Sequence, residues 1–148
     1  MFNSKVILIT GGTGSFGKAF MNNLFKSYKP KKVIVFSRDE LKQYEIYNNL
    51  INKGVSVKKI RFFLGDVRDR SRLNLAFKDV DYVVHAAALK QIPAAEYNPQ
   101  ECIKTNINGA ENVIFAALEQ GVKKIIALST DKACSPVRIG RASCRERV

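Results

Sequence analysis

Short apolar runs alternate along the chain with longer stretches of helical spacing. Val6-Ile7-Leu8-Ile9 is a continuous apolar run of strand length, closed by glycines. From Ser15 to Ser27 apolar residues return every three or four positions, and Phe16, Phe20 and Leu24, with Phe25, predict the buried stripe of a helix. Pro30 breaks the pattern before a second strand, Val33-Ile34-Val35-Phe36. Asp39 is placed to cap a helix that runs to about Lys53 and stops at Gly54. Ile60-Arg61-Phe62-Phe63-Leu64 reads as a third strand, and Asp69 as the cap of a helix carrying Leu73, Leu75, Ala76 and Phe77. Tyr82-Val83-Val84-His85 reads as a fourth strand. A long helix is predicted from Pro99 through Ala116 to Gln120, with Gly121 at its end, before a fifth strand, Lys124-Ile125-Ile126-Ala127-Leu128.

Strands that are apolar on both faces and separated by helices imply parallel βαβ units. The fold class is therefore α/β, a doubly wound parallel Rossmann-type sheet with expected strand order 3-2-1-4-5. A ligand is expected at the carboxyl edge, where the order reverses between strands 1 and 4.

At 148 residues and 46% hydrophobic, the chain suits one packed domain. Its net charge of +12 raises the question of nucleic acid. The lysines argue otherwise, because Lys31-Lys32, Lys58-Lys59 and Lys123-Lys124 each precede a strand and so share the edge opposite the ligand. There is no interleaved aromatic pattern of the single-strand-binding kind. No apolar run approaches the roughly 18 residues that span a bilayer, so a cytoplasmic protein without membrane contact is expected. Cys102, Cys134 and Cys144 form no CxxC pair and suggest neither disulfides nor a metal site.

Thr10-Gly11-Gly12-Thr13-Gly14-Ser15-Phe16-Gly17 lies between a strand and a helix. In that context Gly11, Gly14 and Gly17 allow a tight turn, close approach of backbone to a pyrophosphate, and packing of helix on strand. The helix N-terminus then supplies N–H groups to the anion. At the end of strand 2, where an acidic residue usually accepts from a ribose 2′-hydroxyl, stand Ser37 and Arg38. A guanidinium beside a hydroxyl suits a 2′-phosphate, which favours NADP over NAD. Asp39, one residue later, keeps NAD open. Arg38 as a surface arginine and Asp39 as a helix cap are the bland alternatives. Asp66 can accept from an adenine amino group or cap the following turn. His85 in its apolar strand reads as a packed residue rather than a catalyst.

Several segments resemble the extended short-chain dehydrogenase/reductases, and within them the inverting UDP-N-acetylglucosamine 4,6-dehydratases of bacterial surface-sugar biosynthesis. They are Thr10 to Gly17, Ser37-Arg38-Asp39-Glu40-Leu41-Lys42-Gln43, Gly65-Asp66-Val67-Arg68-Asp69, His85-Ala86-Ala87-Ala88-Leu89-Lys90, Lys104-Thr105-Asn106 and Ser129-Thr130-Asp131-Lys132-Ala133. The resemblance implies cofactor contacts from Gly11, Thr13, Gly14, Ser15, Phe16, Gly17, Ser37, Arg38, Asp39, Glu40, Leu41, Lys42, Asp66, Val67, Ala86, Ala87, Thr105 and Ser129. It implies a UDP-sugar substrate touched by Lys90 and Thr130, and a homo-oligomer in the full-length form. It implies hydride removal at sugar C4, loss of the C5 proton and C6 hydroxyl, hydride return at C6, and reprotonation of C5 on the other face. In that scheme Asp131 is the acid at the C6 hydroxyl, Lys132 the base at C5, and Thr130 a hydrogen-bond partner near O4. Related retaining enzymes carry glutamate where Lys132 stands. Longer relatives carry membrane helices ahead of this domain, whereas this chain resembles the short soluble form.

The resemblance runs to about Val137. A tyrosine is expected at position 140 and a lysine at 144, where Gly140 and Cys144 stand. Ile139 to Val148 reads as translated sequencing adapter, so residues 1–137 are taken as an incomplete NADP-binding domain and 138–148 as a foreign tail. A polypeptide of this kind is expected to lack turnover. A nucleotide-sugar 4-epimerase, which Lys132 disfavours, and a non-catalytic NADP-sensing protein are the alternatives.

Overall fold

The computed structural model describes residues 1–129. Strands β1 (Val6–Thr10), β2 (Lys32–Ser37), β3 (Ile60–Leu64), β4 (Tyr82–His85) and β5 (Lys124–Ala127) form one sheet in the order β3-β2-β1-β4-β5. Every pairing is parallel. The order and direction are those expected from the sequence.

Alternation along β1 divides the core in two. Val6 and Leu8 face one side, with Ile34, Phe36 and Val83 of the neighbouring strands. That side is covered by α3 (Arg70–Phe77) and α6 (Gly109–Glu119), through Leu73, Ala76, Phe77, Val113, Ala116 and Ala117. Ile7 and Ile9 face the other side with Val33, Val35 and Val84. There α1 (Ser15–Ser27) and α2 (Glu40–Asn52) bring Met21, Leu24, Ile46 and Leu50. Burying a side chain such as Leu8 or Phe77 contributes about 1.5–3 kcal/mol, so these layers fix the sheet that carries the loops.

The polar punctuation works as predicted. The Asp39 carboxylate accepts from Lys42 N at 2.9 Å and starts α2, which ends just before Gly54. The Asp69 carboxylate accepts from Arg72 N at 2.9 Å and starts α3. The lysine pairs do lie at the amino edge, since Lys32 and Lys124 open β2 and β5 and Lys59 precedes β3. Asp81 gathers that edge: it accepts from Val6 N at 3.0 Å and pairs with Lys123 at 2.7 Å and Lys5 at 3.7 Å.

Two local expectations are corrected, and one further element is present. The fully buried residues of α1 are Gly17, Met21 and the expected Leu24; Phe20 and Phe25 pack partly buried against that core, and Phe16 is 41% exposed and stacks on Phe20. The long helix after Pro99 is not uniform. It comprises α5 (Pro99–Ile103), a π turn (Lys104–Asn108) and α6. The stretch before it contains a further short helix, α4 (Ile92–Tyr97), with a proline in its first turn.

Candidate functional site

The strand ends align. Thr10 pairs with Phe36 on one side and His85 on the other, Ser37 with Leu64, and His85 with Ala127. The carboxyl ends of all five strands therefore lie along one edge, and the strand order reverses between β1 and β4, the position at which open α/β sheets bind their ligands.

The first of these loops is built by close approach. Gly11 has φ +64°, and a Cβ there would lie 2.8 Å from the backbone of Ala86 and Ala87. Its N–H donates to Phe36 O at 2.9 Å, tying the loop to β2. A Cβ on Gly17 would lie 2.2 Å from Gly12 O, so only glycine lets α1 sit this close to the loop. Gly14 is different: a Cβ there would meet only Gly11 O, at an ordinary 3.4 Å. Gly14 is the N-cap of α1, no side chain caps the helix, and its first turn holds no acid. The amide end of α1 thus faces outward beside exposed Ser15 and Phe16, a disposition that suits an anion. Thr13 is buried beneath the loop.

At the end of β2 the predicted residues have unequal standing. Ser37 is buried, and its hydroxyl accepts from Gln43 Nε2 at 2.9 Å. The same amide group reaches Ser37 O and Phe63 O. Gln43 stitches β2 to β3, a role that sequence reasoning did not assign it; a glutamine within the first turn of an otherwise exposed stretch gave little signal. Arg38 and Lys42 point into solvent, paired with Asp66 at 3.3 Å and Asp39 at 2.7 Å. Asp39 is occupied as the cap of α2, and Lys42 holds its carboxyl below the usual range. Glu40 is exposed, and Leu41 offers an apolar surface that is 67% exposed.

Asp66 ends the β3 loop. It accepts from Arg68 N at 3.0 Å and from the Arg68 guanidinium at 2.7 and 2.9 Å. Partial burial pushes its pKa up, but the Arg68 hydrogen bonds and the charges of Arg68 and Arg38 outweigh this and hold it low. Arg68 also pairs with Glu101 on α5. Asp66 therefore does cap its turn while remaining at the ligand edge. Val67 sends its side chain into the core against Gly109.

On the β4 side, the N–H groups of Ala86 and Ala87 lie 3.2 and 3.3 Å from Thr10 Oγ1. His85 Nδ1 is 2.7 Å from the same hydroxyl, and burial depresses the imidazole pKa to about 4. His85 is thus packed and hydrogen-bonded, as anticipated, and burial favours its neutral form. Beyond it, Asn106 clasps Leu89, accepting from its N–H at 2.8 Å and donating to its carbonyl at 2.9 Å. This brings the π turn against the loop that carries exposed Lys90. Thr105, in the same turn, is buried with an unpartnered hydroxyl oxygen, the kind of group a π turn places at functional sites. Ser129 follows Leu128, whose N–H donates to His85 O at 3.0 Å. Thr130, Asp131 and Lys132 lie outside the described residues. No group of metal-binding side chains and no helix long and apolar enough to cross a membrane occurs among the described residues.

The sheet order and the glycine loop define a Rossmann-like domain of the short-chain dehydrogenase/reductase kind. A family described as polysaccharide biosynthesis protein matches residues 7–145, and the chain belongs to it. It is 61% identical over 139 residues to a UDP-N-acetylglucosamine 4,6-dehydratase (inverting) of Campylobacter jejuni subsp. jejuni serotype O:23/36 (strain 81-176), covering 94% of this chain and 40% of that protein. It is 51% identical over 140 residues to a UDP-glucose 4-epimerase of Rickettsia bellii (strain OSU 85-389), covering 93% and 40%. The crystal structure of DesIV, a dTDP-glucose 4,6-dehydratase of Streptomyces venezuelae with NAD and TYD bound, superposes with a TM-score of 0.73 at 26% identity, covering 86% and 40%. The chain thus spans 40% of the length of both curated relatives. The family resemblance drawn from the motifs is borne out.

Proposed function

We propose that the chain is the dinucleotide-binding portion of an NADP-dependent UDP-N-acetylglucosamine 4,6-dehydratase that inverts C5. The similarity to the Campylobacter protein carries this reading. The residues present fit a dinucleotide: the cradle at Gly11 and Gly14, the uncapped end of α1, and the exposed Arg38 and Lys42 have the shape and charge for a pyrophosphate and a 2′-phosphate. Leu41 offers an apolar face to an adenine, and the unpartnered Thr105 hydroxyl has a hydrogen bond to give.

When bound, the cofactor supplies a hydride acceptor at sugar C4 and the hydride returned at C6. The chain's part is to hold the sugar and move its protons. We assign Lys90 and Thr130 to substrate contact, Asp131 to protonation of the departing C6 hydroxyl, and Lys132 to removal of the C5 proton, with C5 reprotonated from the other face. As a base, Lys132 needs a lowered pKa, through desolvation or a neighbouring positive charge. The same reading makes the complete protein a cytoplasmic homo-oligomer.

We further take residues 138–148 as foreign to the natural gene and this polypeptide as inactive, because Gly140 and Cys144 replace the expected tyrosine and lysine. The family match runs on to residue 145; resequencing the locus downstream of Val137 decides, and an intact frame encoding this tail refutes the idea.

The test of function is turnover by the complete protein, restored to its relatives' length, with UDP-N-acetylglucosamine. NMR is expected to show a 4-keto-6-deoxy product inverted at C5, absent in Lys132→Ala. The Rickettsia relative's name favours a second reading, a 4-epimerase; conversion to UDP-N-acetylgalactosamine with C6 oxygen retained would establish it instead.

A further inference from the structure

The buried residues of α2 are Gln43, Ile46 and Leu50, so position 43 is a core position of an amphipathic helix. Leucine or methionine would suit it. A glutamine that is 5% exposed is tolerated there through the bonds it makes. Its Nε2 lies 3.2 Å from Ser37 O, 3.3 Å from Phe63 O and 2.9 Å from Ser37 Oγ. Carbonyl oxygens can only accept, so the group that faces them is the donating amino end of the amide and not its oxygen. The Ser37 hydroxyl is then a third acceptor of the same group, and a hydroxyl that accepts from Gln43 turns its own proton elsewhere. Ser37 O also accepts from Gly65 N at 3.1 Å, and Gly65 is followed by Asp66, which pairs with Arg38 at 3.3 Å. Gln43 thus ties the ends of β2 and β3 together at the point where Arg38 leaves the sheet.

We propose that Gln43 is a positioning residue for recognition of the cofactor's 2′-phosphate: it holds Ser37 so that the hydroxyl proton is presented to an anion at the end of β2, beside the Arg38 guanidinium. This rests on the NADP reading above and adds to it a residue that does not itself touch the ligand. A 2′-phosphate offers the Ser37 proton a charged acceptor, where NADH offers a neutral 2′-hydroxyl. Hydrogen bonds to a charged group are roughly twice as strong as neutral ones. Loss of the Gln43 amide therefore shifts the preference between the two cofactors, which a purely structural tie between β2 and β3 would not do.

NADPH and NADH affinities, read by cofactor fluorescence, are measured on the wild-type chain, Gln43→Met, Ser37→Ala and the double variant Gln43→Met/Ser37→Ala. Methionine keeps the length and apolar fit of the side chain without a donor. In Ser37→Ala, Gln43 Nε2 keeps both carbonyl partners, so the strand ends stay tied. Each single variant is expected to bind NADPH about tenfold more weakly and NADH at most about threefold more weakly, so that the ratio of affinities falls. The double variant is expected to bind NADPH no more weakly than the weaker single variant. Equal losses for both cofactors in Gln43→Met, or additive losses in the double variant, overturn the proposal alone. An unchanged ratio in Ser37→Ala overturns it whether or not Gln43→Met folds. A wild-type chain that prefers NADH, or binds neither cofactor, overturns the NADP reading and this inference with it.

Discussion

Gly14 and Gly17 lie three residues apart in one loop, yet the structure gives them different work. Alanine at 17 places a Cβ 2.2 Å from Gly12 O. Relieving that contact moves α1 from the loop by roughly 1 Å, at a cost typical of overpacking, about 1–3 kcal/mol. For a domain of this size that is a fall in Tm of about 3–10 °C. Alanine at 14 meets only Gly11 O, at 3.4 Å, with φ −74° that any residue adopts. Its restriction of the unfolded chain and the poorer capping by alanine are each within about 1 kcal/mol and opposed. Stability is therefore expected to change little. The methyl group, however, is added at the N-cap of α1, beside the amides that a pyrophosphate must approach closely. Thermal unfolding and NADPH titration of both variants separate these effects. Gly14→Ala is expected to keep its Tm and bind NADPH at least tenfold more weakly; Gly17→Ala is expected to lose Tm. If Gly14→Ala binds NADPH as the wild type does, the loop is not the pyrophosphate cradle.

Arg38→Ala is expected to weaken NADPH by about 10–100-fold, the worth of charge-assisted hydrogen bonds, while sparing NADH; equal losses for both would remove Arg38 from the 2′-phosphate. For His85, the folded-state pKa of about 4 lies below the ordinary 6.5, so the unfolded chain binds the extra proton first. The resulting stabilisation, roughly 3 kcal/mol, is complete above pH 6.5 and lost as pH falls towards 4. Urea midpoints across that window should fall in the wild type more steeply than in His85→Asn, and parallel curves would contradict the assignment. Asp69→Ala removes the cap of α3 and is expected to cost about 1 kcal/mol, checked by the same midpoints at pH 7.

The fold was legible because its signals are local. Continuous apolar runs of strand length bounded by glycines, such as Val6–Ile9, read as strands covered on both faces, and Asp39, Asp69 and Gly54 punctuate helices by their own hydrogen bonding and backbone freedom. What the sequence hid depends on contacts between distant segments. Phe16 and Phe20 have the right period for a core stripe, yet Gly17 must face Gly12 for α1 to dock, and that rotation places Met21 and Leu24 inside. The π turn at Lys104–Asn108 coincides with the Asn106 clasp on Leu89, seventeen residues earlier in the chain, and no spacing rule announces it. The glycine loop, Arg38 and Asp66 were found by motif and do share one edge. The occupation of Ser37 by Gln43, and the linking of His85 to Ala86 and Ala87 through Thr10, became visible only in three dimensions.

The central claim is that the crevice between β1 and β4 holds a dinucleotide, with Arg38 and Lys42 selecting the phosphorylated form. The most direct measurement is titration of the chain with NADPH and with NADH, following cofactor fluorescence. Saturable binding of NADPH, tighter than that of NADH, is the predicted result. Tighter binding of NADH would contradict the role given to Arg38 and Lys42, and saturable binding of neither would contradict the claim itself.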